Sequence, residues 1–337
     1  MKLSFEQIKE ITCGAVRTEY ENGAVRFYRF TKEQEELYKI TNEDFYYKAL
    51  STAGIKLVFK TNSKNLILKV TDLFCVSRSY FSFDIFVNGS PIGYIDNFSD
   101  KPVPENYTET DFPIANFSKS FELGEGEKTV CIYLPWSAKF GLNELSLDDG
   151  AYVAPVKPQK KLLAFGDSIT QGYDALRPSM RYLSKLTDSL NAEEHNKAIG
   201  GEIFFPKLAE LAEDFVPDYI TVAYGTNDWN RKDEETFKTN CRAFYKNLSK
   251  NYKESKIFAI TPIWRKDMNE FRQFGDFKKV EEDIAELVKD LENVTVISGF
   301  DFVPKNEKLF ADGMLHPNDN GFDFYYKNLF DQIKKYI

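Results

Sequence analysis

After residue 161 the sequence alternates short apolar runs with longer segments of helical periodicity. In the segment 277–291, for example, Val280, Ile284 and Val288 recur on one face of a helix. Two further helices are predicted at 235–252 and at 317–335, the last opening on Pro317. The apolar runs lie at 162–165, 194–199, 218–223, 256–261 and 294–297. This alternation predicts an α/β fold in three α/β/α layers, with a five-stranded parallel sheet and right-handed crossovers.

Residues 1–150 carry a different pattern, that of short β-strands. The predicted strands are apolar runs bounded by polar turns, at 54–61, 66–70, 81–87, 92–95, 118–123 and 128–134. The pair Asn88-Gly89 is a strong hairpin signal between two of them. Only residues 31–37 show a helical pattern. Many short strands at this spacing predict an all-β sandwich, of jelly-roll type.

A polar stretch with Pro155 and Pro158 separates the two patterns. A chain of 337 residues is also long for one domain. The sequence therefore predicts a β-sandwich domain at 1–150, a linker at 151–161 and an α/β domain at 162–337.

Composition excludes some partners and leaves others open. The formal net charge of −8 argues against nucleic acid as the main partner. The sequence contains no apolar run of the length of a membrane span, and none near Met1 typical of a signal peptide. We therefore expect a cytoplasmic protein, although a mature secreted form given a new Met1 would look the same. The oligomeric state stays open.

The four cysteines are scattered, without a C-x-x-C pair. This spacing does not favour a zinc or redox site. Free, buried thiols are expected in a cytoplasmic protein, and a disulfide between Cys75 and Cys131 is the alternative.

The apolar run at 162–165 ends abruptly in Gly166-Asp167-Ser168, and Gly172 follows four residues after the serine. A buried strand that ends in a serine between glycines presents one hydroxyl at the carboxyl edge of a parallel sheet. Open α/β sheets bind their ligands at this edge. Taken alone, Gly-Asp-Ser is equally typical of an ordinary turn.

Three more blocks marked by glycine or proline lie after predicted strands or before the last helix, at 196–202, 225–228 and 312–318. Together with the serine they provide the groups that acyl transfer requires. Ser168 is a candidate nucleophile that needs a base to take its proton. The main-chain N–H groups of Ser168 and Gly201 and the side-chain amide of Asn227 are candidate donors to an oxyanion.

The chain has only two histidines that could act as the base. His195 lies beside Glu194 at the start of a predicted strand, where a buried structural role is expected. His316 precedes Pro317 in a loop that opens a helix, a place from which its imidazole can reach a site. We therefore favour His316.

The order of these blocks, Ser, Gly, Asn and His, resembles the SGNH hydrolase superfamily, also called the GDSL lipase/esterase family, over residues 160–337. The resemblance implies a flavodoxin-like α/β domain that hydrolyses an ester. It also implies Ser168 as nucleophile, Gly201 and Asn227 as oxyanion donors and His316 as general base. No metal and no organic cofactor are implied.

The sequence departs from the family pattern at two places. Ala198 stands where the second block of the family usually has its first glycine, while Gly201 holds the last position. The acid of the family usually lies three residues before the histidine, where this chain has Gly313, and Asp312 lies four before. Either a one-residue bulge brings Asp312 to the imidazole, or a backbone carbonyl orients His316.

The whole chain is also similar to SGNH carbohydrate esterases that carry a β-sandwich before the catalytic domain. This similarity implies removal of acetyl groups from a sugar or polysaccharide. Alternatives with the same site are a lipid or thioester hydrolase and an acyltransferase. A glycan-binding protein without activity is a third class.

Several other residues near the blocks are candidates for lesser roles. Asp167 and Asp228 are expected to order their loops. Trp264 either stacks on a sugar ring or covers the core. Tyr173 and Asp174, just past the nucleophile, are predicted to line the rim of the substrate site.

Overall fold

The first half of the chain forms two antiparallel sheets. In the computed structural model, which describes residues 1–100 and 102–337, one sheet has the order β1-β4-β9-β6-β7, with β11 beside β4, and the other has the order β2-β3-β10-β5-β8. The strands are β1 (Thr12–Cys13), β2 (Arg17–Glu21), β3 (Ala24–Tyr28), β4 (Lys56–Thr61), β5 (Asn65–Cys75), β6 (Ser82–Val87), β7 (Ser90–Asp96), β8 (Phe117–Glu122), β9 (Lys128–Tyr133), β10 (Ala138–Leu147) and β11 (Ala154–Pro155).

Apolar side chains from both sheets meet in one core. Phe83 on β6 and Phe140 on β10 pack edge to face with ring centroids 4.8 Å apart. The predicted hairpin is present: Asn88 and Gly89 join β6 to β7 with φ of 49° and 79°. The left-handed φ at both positions is what a two-residue hairpin turn requires. The jelly-roll connectivity stays a prediction.

Three helices interrupt the first half of the chain: α1 (Phe5–Ile11), α2 (Lys32–Thr41) and α3 (Glu43–Ala49). The helical pattern at 31–37 corresponds to α2, which Thr31 and Gln34 cap reciprocally. The sequence pattern missed α1 and α3. Phe30, just before α2, and Tyr38 and Ala49, on α2 and α3, pack into a core of the second half of the chain. The local sequence therefore does not reveal what α2 and α3 contact.

The second half of the chain forms a parallel sheet, as predicted. Its strands are β12 (Lys160–Gly166), β13 (Ala192–Asn196), β14 (Tyr219–Ala223), β15 (Lys256–Ile260) and β16 (Val294–Ile297). The order is β13-β12-β14-β15-β16, and every neighbouring pair is parallel. β13 lies on one side of β12, and β14, β15 and β16 lie on the other. The order in which strands are added to the sheet therefore reverses between β12 and β14, and doubly wound folds bind their ligands at such a point.

Helices cover both faces of the parallel sheet. Leu163 and Phe165 of β12 point into one core, and Leu162 and Ala164 into the other. The helices are α4 (Ser168–Gln171), α5 (Tyr182–Ser189), α6 (Pro206–Glu210), α7 (Thr226–Arg231), α8 (Glu234–Asn251), α9 (Lys279–Val288) and α10 (Asp319–Ile333), with short 3₁₀ turns at Pro178–Met180 and Glu307–Leu309. None of the helices in the described residues has the length and apolar character needed to cross a bilayer.

The start of the last helix differs from the prediction. α10 begins at Asp319, and the side chain of Asn318 caps it. Pro317 lies outside the helix, in an isolated bridge with Phe310. The capping side chain, rather than the proline, fixes the first turn because it accepts hydrogen bonds from the main-chain N–H groups of residues 320 and 321.

All four cysteines are free thiols. Burial raises the pKa of Cys13 to about 11 and that of Cys75 and Cys131 to about 12. The thiols therefore stay protonated at neutral pH, and the alternative of a disulfide between Cys75 and Cys131 is not realised.

The guanidinium of Arg29, which is 1% exposed, links the two halves of the chain. Nη1 donates to the carbonyl oxygens of Asn196 and Ala198, both at 2.9 Å. Nε donates to the carbonyl of Ser51 at 2.8 Å and Nη2 to that of Lys48 at 3.0 Å. Burial lowers the pKa of Arg29 to about 9, so the group is charged at neutral pH. Residues 29–51 therefore pack against the parallel-sheet half although they precede it by more than a hundred positions. The predicted boundary at 151–161 stays a prediction.

Replacing Arg29 by Met should lower the free energy of unfolding by about 3 to 5 kcal/mol, since it leaves several buried carbonyls without a donor. Urea unfolding measures the loss. Arg26→Met is the matched control on the preceding strand. Its side chain is 18% exposed and pairs with Asp72 at the surface, so its loss should stay under about 1 kcal/mol. Equal losses in the two variants would contradict the linking role of Arg29.

Candidate active site

A tight strand-to-helix turn presents the hydroxyl of Ser168. β12 ends at Gly166, and Asp167 caps α4, whose first residue is Ser168. The Asp167 carboxylate accepts a hydrogen bond from the main-chain N–H of Ile169 at 3.0 Å. A Cβ at Gly166 would lie 2.4 Å from Oγ1 of Thr170. Only glycine therefore allows the chain to turn so closely at the carboxyl edge of the sheet.

Ser168, His316 and Asp312 form a continuous chain of hydrogen bonds. Oγ of Ser168 lies 2.8 Å from Nε2 of His316, and Nδ1 of His316 lies 2.7 Å from Oδ2 of Asp312. The other oxygen of Asp312 accepts from the main-chain N–H groups of residues 314–316 at 2.8 to 3.1 Å. Gly313 has φ of +66°, and this turn brings a carboxylate four residues before the histidine back onto its imidazole. Of the two alternatives for orienting His316, the structure contains the bulge.

The charges around the imidazole favour its protonated form. Burial lowers the pKa of His316, but the hydrogen bond to Asp312 and the negative charges of Asp174 and Asp312 outweigh burial and raise it above its usual value. Burial raises the pKa of Asp312, and the hydrogen bond from His316 overcomes this effect, so that its pKa is well below the usual range. A carboxylate that stays ionised can stabilise an imidazolium formed during a reaction.

The main-chain N–H of Gly201, in the loop that follows β13, is available as a donor. Gly201 has φ of +88°. The N–H groups on either side are occupied, since Gly200 donates to Oε1 of Gln171 at 2.7 Å and Glu202 donates to the carbonyl of Ile199 at 3.0 Å. Among the described residues, the N–H of Gly201 has no acceptor.

Asn227 reaches the same place from the next strand. It lies in the first turn of α7, directly after β14. Its Nδ2 donates one hydrogen to the carbonyl of Glu202 at 3.0 Å, which fixes the side chain and leaves the second amide hydrogen for another acceptor. The structure therefore brings all three donors predicted from the sequence to the end of the sheet that carries Ser168.

Two cationic side chains donate hydrogen bonds to the loop that carries Gly201. Arg231, in the last turn of α7, donates to the carbonyl of Gly201 at 2.7 Å. Lys48 of α3 donates to the carbonyl of Gly200 at 3.1 Å. Sequence reasoning missed both, since neither belongs to a motif and Lys48 lies in a helix that the pattern did not reveal.

Below this loop the carboxyl group of Glu202 is fully enclosed. It accepts hydrogen bonds from the hydroxyls of Tyr38 and Tyr224, the latter at 2.8 Å. Burial raises the pKa of Glu202 to about 8. Glu202 is therefore mostly protonated at neutral pH, and its side chain places little negative charge under the candidate oxyanion donors.

Asp167 and Asp228 are fully buried and bond to nearby main chain. Asp228 accepts from the N–H of Phe204 at 3.2 Å, as Asp167 does from Ile169. Burial raises the pKa of Asp167 to about 6 and that of Asp228 to about 7. These contacts fit the loop-ordering roles expected from the sequence.

The prediction that Tyr173 and Asp174 line the rim is wrong, because they are 8% and 0% exposed. The ring of Tyr173 stacks on the imidazole of His316 with centroids 5.7 Å apart. On the connection between β9 and β10, the ring of Trp136 lies 5.2 Å from that of Tyr173. The antiparallel-sheet half covers both residues, and this cover is not visible in the local sequence.

The two remaining candidates pack into the protein. Trp264 is half-buried with its ring 5.3 Å from that of Phe310, which favours the core-covering alternative; contact with a sugar stays a prediction. His195 is 5% exposed and packs against Phe215. Burial lowers the pKa of His195 to about 3, so its imidazole is neutral and serves as a structural residue.

Asp174, Asp312 and His316 also bring three atoms of metal-binding type within 4.8 Å of one another. Their contacts are already explained by hydrogen bonds and ion pairs. Arg78 bonds to both oxygens of Asp174 at 2.8 and 3.0 Å, and a guanidinium at this distance opposes a second cation. We therefore assign no metal to this cluster.

A known protein family matches the second half of the chain. The model of the GDSL-like Lipase/Acylhydrolase family matches residues 164–324. No curated protein matches the chain by sequence.

Solved structures share the fold of almost the entire chain. The salicylyl-acyltransferase SsfX3 from a tetracycline biosynthetic pathway has 18% identity and a TM-score of 0.81, covering 96% of this chain and 94% of its own. A candidate GDSL-like lipase from Bacteroides ovatus ATCC 8483 has 22% identity and a TM-score of 0.76, with coverage of 99% and 97%. The acetyl xylan esterase Est2A from Butyrivibrio proteoclasticus has 16% identity and a TM-score of 0.64, with coverage of 99% and 98%.

The two histidines should titrate very differently. In an NMR titration of protein labelled at histidine, one imidazole should have a midpoint above about 6.5, and the other should stay neutral until the pH falls toward 3. Asp312→Asn should lower the first midpoint, because the imidazolium loses its bonded carboxylate. An unchanged midpoint in Asp312→Asn would contradict the geometry described for His316.

Proposed function

Because the model of the GDSL-like Lipase/Acylhydrolase family matches residues 164–324, we propose that the protein is a serine esterase that removes short acyl groups, chiefly acetyl, from a carbohydrate. The observation that carries the proposal is the chain of hydrogen bonds from Ser168 through His316 to Asp312, with distances of 2.8 and 2.7 Å. The donors of Ser168, Gly201 and Asn227 at the same sheet edge support it.

In the proposed reaction His316 takes the proton of Ser168 through Nε2 while Oγ attacks the ester carbonyl carbon. The carbonyl oxygen becomes an oxyanion and accepts hydrogen bonds from the N–H groups of Ser168 and Gly201 and from the amide of Asn227. His316 then gives its proton to the departing alcohol, which leaves an acyl group on Ser168. Water, deprotonated by His316, attacks this acyl group. The bond from the acyl carbon to Oγ then breaks, His316 returns its proton to Oγ of Ser168, and the acid is released.

The walls beside the oxyanion donors favour a short acyl group. A Cβ at Gly201 would lie 3.4 Å from both terminal nitrogens of Arg231 and 3.7 Å from the ring of Phe45. Lys48 borders Gly200 on the same side. A long alkyl chain placed against these cations would lose the apolar contact that favours its binding.

A carbohydrate acceptor is supported by the shared architecture. Est2A, described as an acetyl xylan esterase, matches this chain over both the antiparallel sheets and the parallel sheet. At this identity the similarity concerns the fold, and a fold alone does not fix a substrate.

Acyl transfer to an alcohol is the second candidate, since the structure with a TM-score of 0.81 is that of an acyltransferase. The acyl-enzyme is the same in both reactions, and only the final acceptor differs. Adding a monosaccharide or glycerol to the assay separates them: a transferase forms the acylated alcohol, and a hydrolase forms the free acid.

Ester turnover should depend on Ser168 and peak at the shortest acyl chain. With p-nitrophenyl esters from acetate to octanoate, the rate should fall steeply by butyrate. Ser168→Ala should lower kcat by about ten-thousandfold or more while the thermal midpoint stays nearly unchanged. A peak at longer chains would favour the lipid or thioester reaction, and a folded protein without turnover on any ester would favour glycan binding.

The loss in Asp312→Asn should be about a hundredfold smaller than the loss in His316→Ala. The asparagine still orients the imidazole but lacks the charge that stabilises the imidazolium. Steady-state kinetics on p-nitrophenyl acetate compare the two. Equal losses would contradict the division of roles, and full activity in Asp312→Asn would remove Asp312 from the site.

A further inference from the structure

Two carboxylates face the same nitrogen of His316. Oδ2 of Asp312 lies 2.7 Å from Nδ1, and Oδ2 of Asp174 lies 3.5 Å from it. Asp312 is on the loop of the histidine itself, whereas Asp174 follows the nucleophile turn and is 0% exposed. The second carboxylate is thus buried against the base and has no contact with solvent.

The antiparallel-sheet half holds Asp174 in place. Arg78 donates from Nε and Nη2 to both carboxylate oxygens, and the hydroxyl of Tyr80 donates to Oδ1 at 3.1 Å. The hydroxyl of Tyr107 donates to the main-chain carbonyl of Asp174 at 2.7 Å. Arg78 and Tyr80 lie between β5 and β6, and Tyr107 between β7 and β8. Each of these donors therefore comes from the first half of the chain.

The backbone of Asp174 is in a conformation that it would not adopt freely. Its φ is 71°, in the left-handed region that residues other than glycine seldom occupy. Such a conformation persists only where the surroundings enforce it, and it is common at functional sites. Here the enforcing contacts are the arginine and the two tyrosines of the antiparallel-sheet half.

Arg78 also makes a cation–π contact with the ring of Tyr173. Its guanidinium carbon lies 5.3 Å from the ring centroid of Tyr173, and that ring stacks on His316 with an interplanar angle of 28°. The imidazole is thus held on one face by the ring of Tyr173 and at Nδ1 by the hydrogen bond to Asp312, with the carboxylate of Asp174 3.5 Å from the same nitrogen.

We propose that Asp174 is a positioning residue of the active site. Together with Asp312 it holds the imidazole of His316 and shares the charge of the imidazolium. Arg78 fixes Asp174 from the antiparallel-sheet half. The role of this pair in turnover rests on the proposed function. The contact itself exists without substrate, so it can be tested separately.

The groups around the imidazole predict the direction of each effect. Asp312 and Asp174 raise the pKa of His316, and Arg78 lowers it. The charged and titratable groups that face the imidazole are Ser168, Asp312, Asp174, Tyr173, Arg78 and Asp167. Removing the charge of Asp174 should make the imidazole easier to deprotonate, and removing the charge of Arg78 should have the opposite effect.

The test is an NMR titration of the full chain labelled at histidine. In Asp174→Asn the midpoint of His316 should fall by about one pH unit. Asp96→Asn is the matched control, because Asp96 of β7 is buried and pairs with Arg177 of the other half at 2.6 Å without contacting His316. The control midpoint should equal that of the parent protein. An unchanged midpoint in folded Asp174→Asn would overturn the proposal.

Arg78→Met provides a second test that does not depend on Asp174→Asn folding. Tyr80 and Tyr107 still bond to Asp174 in this variant, so the carboxylate stays beside His316 while the arginine no longer opposes protonation. The midpoint of His316 should therefore rise, and an unchanged or lower midpoint would overturn the proposal. A residue that only stabilises the fold would shift unfolding without shifting these two midpoints in opposite directions.

Kinetics then test the role in turnover. The acid limb of the pH profile of kcat/KM on p-nitrophenyl acetate should move with the NMR midpoint in each variant. The double variant Asp312→Asn/Asp174→Asn should lose about tenfold more activity than Asp312→Asn alone. If the parent protein turns over no ester while the midpoints shift as expected, the proposed function fails and the contact with Asp174 stands.

Discussion

The buried guanidinium of Arg29 is the contact on which the arrangement of the two halves depends. It donates to carbonyls at 48 and 51 on one side and to those of Asn196 and Ala198 on the other. The second pair lies a few residues before Gly201, so the position of this candidate oxyanion donor is linked to the first half of the chain. A buried carbonyl without a donor is costly, and the two halves therefore gain by staying together.

The distribution of charge across the candidate site follows from burial and pairing. On the side of the base, Asp312 stays ionised and, with Asp174, stabilises a positive imidazole. On the side of the oxyanion donors, burial keeps Glu202 mostly protonated, and the nearby cations are Lys48 and Arg231. In the proposed reaction, positive charge develops on the imidazole of His316 and negative charge on the carbonyl oxygen of the ester. The surroundings of each end match the charge that develops there.

Much of the second half of the chain was predictable because its signals are local. Each strand of the parallel sheet is a short apolar run, and the strand–helix alternation leaves few other topologies. The turn at Ser168 was recognisable because a close approach of backbone requires Gly166. The helices α1 and α3 were missed, since they are short and α3 packs on residues more than a hundred positions away. Tyr173 and Asp174 were misplaced for the same reason, because their cover comes from a distant part of the chain.

The sequence by itself determined the parallel sheet, the place of Ser168 at its edge and the choice of His316 over His195, because these follow from periodicity, glycine and the count of histidines. Only the tertiary structure decided how the imidazole is oriented. The turn at Gly313 brings Asp312 to Nδ1, and Arg78 brings Asp174 to the same nitrogen from the other half of the chain. Distances of this kind depend on how separate elements pack, and no spacing along a chain encodes them.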